Sequence, residues 1–122
     1  MTKILVVEDQ EDNRQILRDL LASADYEMVE AENGQEALTA VVEHMPDLIL
    51  MDIQLPKLSG LDATRKLRAD PATAATPIVT ITSFALSGDD QKAKEAGATA
   101  YLAKPYSPFD LLNLIRKLLP ES

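Results

Sequence analysis

The sequence predicts an α/β fold, a parallel sheet with helices on both faces. Two observations carry this. Short apolar runs rich in Val, Ile and Leu are continuous rather than alternating, as strands buried on both faces are. Longer segments with helical spacing separate them, and strict strand–helix alternation produces a parallel sheet, because parallel neighbours need a crossover connection. The alternation repeats five times in 122 residues, a length that suits one domain.

The apolar runs are Ile4 to Val7, Met28 to Ala31, Leu48 to Met51, Ile78 to Ile81 and Ala100 to Ala103. The second contains Glu30 and reads as an edge strand. In the first helical segment, Ile16, Leu17, Leu20 and Leu21 are expected to form one apolar stripe, with Arg14, Arg18 and Asp19 off it. Asn33 and Gly34 open the next, with Glu36 as a capping-box partner and Ala37, Leu38, Val41 and Val42 as its apolar face; Pro46 ends it. Ser59 caps a third helix containing Leu61, Leu67 and Arg68. Ser87 precedes a fourth, which stops at Gly97, the expected left-handed C-terminal residue. Ser107 and Pro108 open a fifth, with Phe109, Leu111, Leu112, Leu114, Ile115, Leu118 and Leu119 as a broad apolar face, closed by Pro120. Asp70 to Pro77 is a loop.

Composition removes several function classes. Twelve basic and twenty acidic side chains give a net charge of −8, and no basic stripe is present, so a nucleic-acid partner is not expected. Aromatics are 4% with no Trp, which leaves no base-stacking platform. No Cys is present, which excludes disulfides, zinc-thiolate sites and a thiol nucleophile. No apolar run reaches transmembrane length, and the N-terminal run is too short for a signal peptide, so a cytoplasmic protein without membrane contact is expected.

Ligands of open parallel sheets bind at the carboxyl ends of the strands. There the sequence places Glu8 and Asp9 after the first strand, Asp52 after the third, Thr82 and Ser83 after the fourth, and Lys104 with Pro105 after the fifth. Three clustered carboxylates resist ionisation together unless a cation joins them. Hard oxygen donors suit Mg²⁺. Beside that ion, Asp52 can act as a nucleophile toward phosphorus and form an aspartyl phosphate. Lys104 would neutralise charge on the transferring group, and the Thr82 hydroxyl would donate to one of its oxygens.

This pattern resembles, over the whole chain, the receiver domain of the response regulators of two-component signalling, in particular the stand-alone kind of chemotaxis or cell-division-control type. Such domains carry an acidic pair after strand one, a phosphoacceptor Asp after strand three, a Thr or Ser after strand four and a Lys-Pro after strand five. Thr82 lies 30 residues and Lys104 52 residues after Asp52, which matches the family spacing. The resemblance implies a flavodoxin-like (βα)5 doubly wound, five-stranded sheet of order 2-1-3-4-5. It implies that Asp9, Asp52 and the backbone carbonyl of Gln54 ligate Mg²⁺ (or Mn²⁺), with Glu8 acting through water. Asp52 would accept the phosphoryl group from a phosphohistidine of a sensor histidine kinase or histidine phosphotransfer protein. Tyr101, three before Lys104, would be the switch aromatic coupled to Thr82. The Lys104–Pro105 peptide would be cis. Gln54 and Phe84 occupy positions that tune dephosphorylation, and Ser83 stands where the family usually has alanine.

By the same resemblance, the first helix around Asn13, Arg14 and Leu17 is the docking side for the phosphodonor. The face of the fourth helix, fifth strand and fifth helix would bind a downstream protein target. The reading expects one receiver domain over residues 1–122 with no output domain, a signalling protein rather than an enzyme, and a monomer or a phosphorylation-dependent dimer. A receiver segment of a hybrid histidine kinase is the alternative. An aspartate-nucleophile phosphohydrolase of the haloacid-dehalogenase type fits poorly, because Gln54 stands where those enzymes have a second aspartate.

Each residue alone has a plainer explanation. Glu8 and Asp9 could cap a turn, and Asp52 a helix. Thr82 and Ser83 could bond to backbone. Lys104 could be a solvated charge and Tyr101 core packing. His44 complements the C-terminal end of its helix. The run from Asp9 to Asn13 hints at a calcium loop, but it lacks the central glycine and has Leu20 where the terminal glutamate would fall.

Overall fold

The computed structural model describes residues 2–53, 55, 58–82, 89–104 and 106–119. Five strands alternate with five helices: β1 (Lys3–Val7), α1 (Glu11–Ser23), β2 (Glu27–Ala31), α2 (Gly34–His44), β3 (Leu48–Asp52), α3 (Gly60–Ala69), β4 (Ile78–Thr82), α4 (Asp89–Ala96), β5 (Ala100–Ala103) and α5 (Pro108–Leu118). All pairings are parallel and the strand order is β2-β1-β3-β4-β5, as predicted. β2 is an edge strand. β1 and β3 occupy the middle, which is why their apolar runs are unbroken.

Alternation along the central strands divides the core into two layers. Ile4, Val6, Leu48 and Leu50 face Leu17 and Leu21 of α1 and Leu111 and Ile115 of α5. Leu5, Val7, Ile49 and Met51 face Ala37 and Val41 of α2 and Ala63 and Leu67 of α3. Each fully buried Leu or Ile contributes about 2 kcal/mol, so both faces fix the strand register.

The caps hold as the sequence suggests. Asn33 accepts from the Glu36 N–H, Ser59 from that of Asp62, and Ser107 from that of Asp110, with Pro108 in the first turn of α5. Gly97 has φ +106° and ends α4. The expectation for Ser87 lies outside the described residues.

Three helical faces differ from expectation; on α5, Phe109 stands 77% exposed instead of joining the apolar face. On α1, Arg14 is buried, 6% exposed, while Ile16 is 64% exposed. Residues 14, 17 and 21 share one face at helical spacing, and the inward position goes to Arg14 because acidic groups of neighbouring segments surround its guanidinium. On α2, Ala40 takes the inward place and Val42 points out.

Gly60 opens α3 against the end of β3. A Cβ at Gly60 would lie 2.0 Å from the Asp52 carbonyl oxygen, and the Gly60 N–H donates to the Ile53 carbonyl at 3.0 Å. Only glycine allows this approach, which seats Asp52 and Ile53 on the start of the third helix.

Candidate active site at the carboxyl end of the sheet

Glu8 and Asp9 follow β1, Asp52 is the last residue of β3, and Lys104 follows β5. Because β1 and β3 are paired neighbours, their ends meet. One carboxylate oxygen from each of Glu8, Asp9 and Asp52 lies within 4.8 Å of the others. Lys104 Nζ is 3.0 Å from Glu8 Oε1 and 3.7 Å from Asp52 Oδ2. Glu8 and Asp52 are only 3% and 8% exposed. Four of the residues singled out from sequence thus converge on one spot.

Thr82 ends β4, beside Ala103 in the register. Tyr101 sits partly buried in β5, paired with Thr80 and two residues before Ala103. The expectations for Gln54, Ser83, Phe84, Pro105 and the Thr82 side chain lie outside the described residues.

The electrostatics follow from the crowding. Burial pushes the Glu8 carboxyl up, but the Lys104 ammonium and the Gln10 backbone N–H outweigh it and leave the group lowered. Asp9 is raised, by burial and then by the adjacent Glu8 carboxylate. Burial pulls Lys104 down, but the carboxylates of Glu8 and Asp52 push it further up, so it stays a cation.

Glu8 is already committed to protein donors. Its Oε1 accepts from Lys104 Nζ and from Asn13 Nδ2 at 3.1 Å, and its Oε2 accepts from the Gln10 N–H at 3.1 Å. Asp9 is held less firmly: Gln10 Nε2 donates to its Oδ2 at a long 3.5 Å, and its carboxyl lies against that of Glu8. The donor set fits a hard divalent cation: three carboxylates with only oxygen atoms to offer. Asp9 has oxygens to give, whereas Glu8 is held by its neighbours, which favours an indirect part for Glu8.

A cavity of about 420 Å³ opens beside Asp52. Glu8, Asn13, Asp52 and Lys104 supply its polar lining; Ile16, Leu17 and Leu20 of α1, with Tyr106 and Pro108, supply much of the apolar lining. Tyr106 is half-buried there, and burial raises its hydroxyl. Phe109 follows, 77% exposed.

Sequence reasoning passed over Gly60 and Tyr106, and it placed Arg14 on the outer side of its helix. Spacing with Leu17 and Leu21 was the available signal for Arg14. For Tyr106 it was an aromatic two residues beyond the predicted site lysine.

Among the described residues, no helix is long and apolar enough to cross a membrane. The parallel 2-1-3-4-5 sheet and the acidic triad beside a lysine are those of a phosphoacceptor signalling domain. Residues 4–116 match the family model of the response regulator receiver domain, and the chain belongs to that family, the receiver domains of two-component response regulators. It is 41% identical over 123 residues to the polar-differentiation response regulator DivK of Brucella ovis, covering all of both chains. Its fold matches the receiver domain of a sensor histidine kinase from Pseudomonas aeruginosa, solved with magnesium coordinated in its active-site cleft. That match has a TM-score of 0.89 and 34% identity over 96% of each chain. It also matches the Vibrio cholerae chemotaxis protein CheY4, with a TM-score of 0.91 and 32% identity over 98% of this chain and 99% of the other.

Proposed function

We propose that Asp52 is the phosphoacceptor and that its phosphorylation controls binding to a downstream protein. The supporting observation is the cluster of Asp52, Asp9, Glu8 and Lys104 at the carboxyl end of the central strands. Asp9, Asp52 and the Gln54 backbone carbonyl would hold Mg²⁺, or Mn²⁺ in its place, with Glu8 acting through water. Bound there, the ion supplies positive charge to the transferring phosphoryl oxygens.

The protein's own residues do the rest. A carboxylate oxygen of Asp52 attacks phosphorus as the P–N bond of a phosphohistidine breaks. The bonding pair returns to the imidazole nitrogen of the sensor kinase or histidine phosphotransfer protein. The Lys104 ammonium neutralises phosphoryl oxygen charge, and the Thr82 hydroxyl donates to one of them. Those contacts favour one of two arrangements of Thr82 and Tyr101, a population shift read out on the face of α4, β5 and α5. Phe84 and Gln54 would time the return reaction; Phe84→Ala should then speed loss of the phosphoryl group. The chain thus catalyses only its own phosphorylation and dephosphorylation.

Phosphodonor docking falls on the α1 side, beside the cavity at Asp52. Ile16, Leu20 and Pro108 are the apolar contacts it offers there. Arg14 and Leu17, expected on that surface with Asn13, are both buried.

The test is incubation with Mg²⁺ and acetyl phosphate. The wild type should gain a base-labile phosphate and Asp52→Asn should not. A wild type that gains none, or a variant that gains as much, rejects the reading.

A further inference from the structure

We infer that Arg14 is a positioning residue for the acidic pair: its guanidinium holds the peptide between Glu8 and Asp9 so that both carboxylates point toward Asp52. The inference rests on the metal-assisted reading above. Arg14 lies on α1 yet is almost fully buried. Its NH1 donates to the Glu8 carbonyl oxygen at 2.7 Å. The Glu8 N–H donates to the Ala31 carbonyl of β2 at 3.0 Å. The Glu8 backbone is therefore held from both sides, by the β2 edge and by Arg14. The peptide that leads into Asp9 has little freedom to rotate.

The guanidinium is anchored in turn. NH2 reaches Glu11 Oε2 at 2.5 Å and Glu32 Oε1 at 3.3 Å, and Nε lies 3.3 Å from Glu30 Oε1. Arg18 bridges Glu11 and Glu30 from outside. These bonds use the planar fork of Arg; a lysine could not make them together. Partners that orient metal ligands typically matter by 10- to 100-fold in metal affinity.

The sign of the effect separates this role from plain electrostatics. Arg14 is a cation near an acidic site, so removing it should, by Coulomb's law alone, tighten binding of a divalent cation. A positioning role predicts weaker binding instead. The experiment is Mn²⁺ titration of the full chain, read from the electron paramagnetic resonance signal of free Mn²⁺, at temperatures where circular dichroism shows each variant folded. Arg14→Met should bind Mn²⁺ about 10-fold more weakly. Arg14→Lys should fall between, roughly threefold weaker. Glu32→Gln breaks one ion pair but leaves the bond to the Glu8 carbonyl, and should stay within about twofold of wild type.

Tighter or unchanged binding by Arg14→Met overturns the inference, as does a loss in Glu32→Gln equal to that in Arg14→Met. If Arg14→Met does not fold, Arg14→Lys decides: wild-type affinity there overturns the inference. A wild type that binds no Mn²⁺ removes the metal-site reading and this inference with it. Binding equal in wild type and variants removes the inference alone.

Discussion

Two cations lie partly buried at opposite ends of the sheet and keep different company. Lys104, at the carboxyl end, faces the carboxylates of Glu8 and Asp52. Arg68, at the amino end, binds neutral oxygens: Nε to the Gly97 carbonyl at 2.7 Å, NH1 to those of Ala74 and Thr76 at 3.0 and 2.6 Å, and NH2 to Thr99 Oγ1 at 2.9 Å. Burial therefore lowers Arg68, whereas the carboxylates hold Lys104 up. Arg68 joins α3 to the segments entering β4 and β5, and Gly97 makes room for it, since a Cβ there would lie 2.5 Å from Arg68 Cγ. The amino end satisfies its charge with fixed dipoles and is a joint. The carboxyl end gathers like charges around one lysine, an arrangement that a cation or a phosphoryl group can still change.

Exchanging each cation for methionine tests that contrast. Lys104→Met should slow phosphate uptake from acetyl phosphate by about 100-fold, the usual consequence of losing one charge-stabilising donor. Mg²⁺ should still raise its melting temperature. Arg68→Met should cost about 1–3 kcal/mol in urea unfolding, because the part-buried Gly97 and Thr76 carbonyls lose a charged donor. Its uptake rate, measured while folded, should match wild type. Equal losses of rate in both variants would erase the distinction between the two ends.

Gly60→Ala probes how firmly the site is seated. Its added methyl meets the Asp52 carbonyl, so the backbone must shift. A loss of about 1–3 kcal/mol is expected, together with slower uptake. Stability loss with a wild-type rate would show that this contact does not position Asp52.

The smallest effect concerns Asp9 and pH. Glu8 is lowered, so its contribution is present above its unfolded value and is lost as acid carries the pH down through its folded one. Asp9 is raised, so its contribution is full in acid and is lost as the pH rises through its folded value. The two have opposite signs in the acid range, so Asp9 offsets part of the loss that Glu8 causes on acidification. Asp9→Asn removes that offset and leaves the lowered Glu8, so stability should fall more steeply than in wild type on acidification. At pH 7 without Mg²⁺ the variant should melt about 1–3 °C higher than wild type, and it should gain little when Mg²⁺ is added.

The fold was legible because the central strands are buried on both faces: Ile4 to Val7 and Leu48 to Met51 could be little else. Site placement followed from topology, since parallel strands bring their carboxyl ends to one rim. That step alone united Glu8, Asp9, Asp52 and Lys104. What escaped was the company each side chain keeps. Arg14 turned inward because Glu30 and Glu32 of another segment and the Glu8 carbonyl await it, and no local pattern encodes that. Ile16 turned outward for the same reason, since one face of α1 cannot hold both. The need for Gly60 arises from contact with Asp52, eight residues earlier, and not from the helix it begins.

The central claim is that Asp52, and no other carboxylate of the cluster, carries the phosphoryl group. Its most direct test is borohydride reduction of the protein after Mg²⁺ and acetyl phosphate treatment, followed by peptide mass spectrometry. Reduction turns an aspartyl phosphate into homoserine. The account predicts homoserine at position 52; a reduced residue at position 8 or 9, or none anywhere, would contradict it.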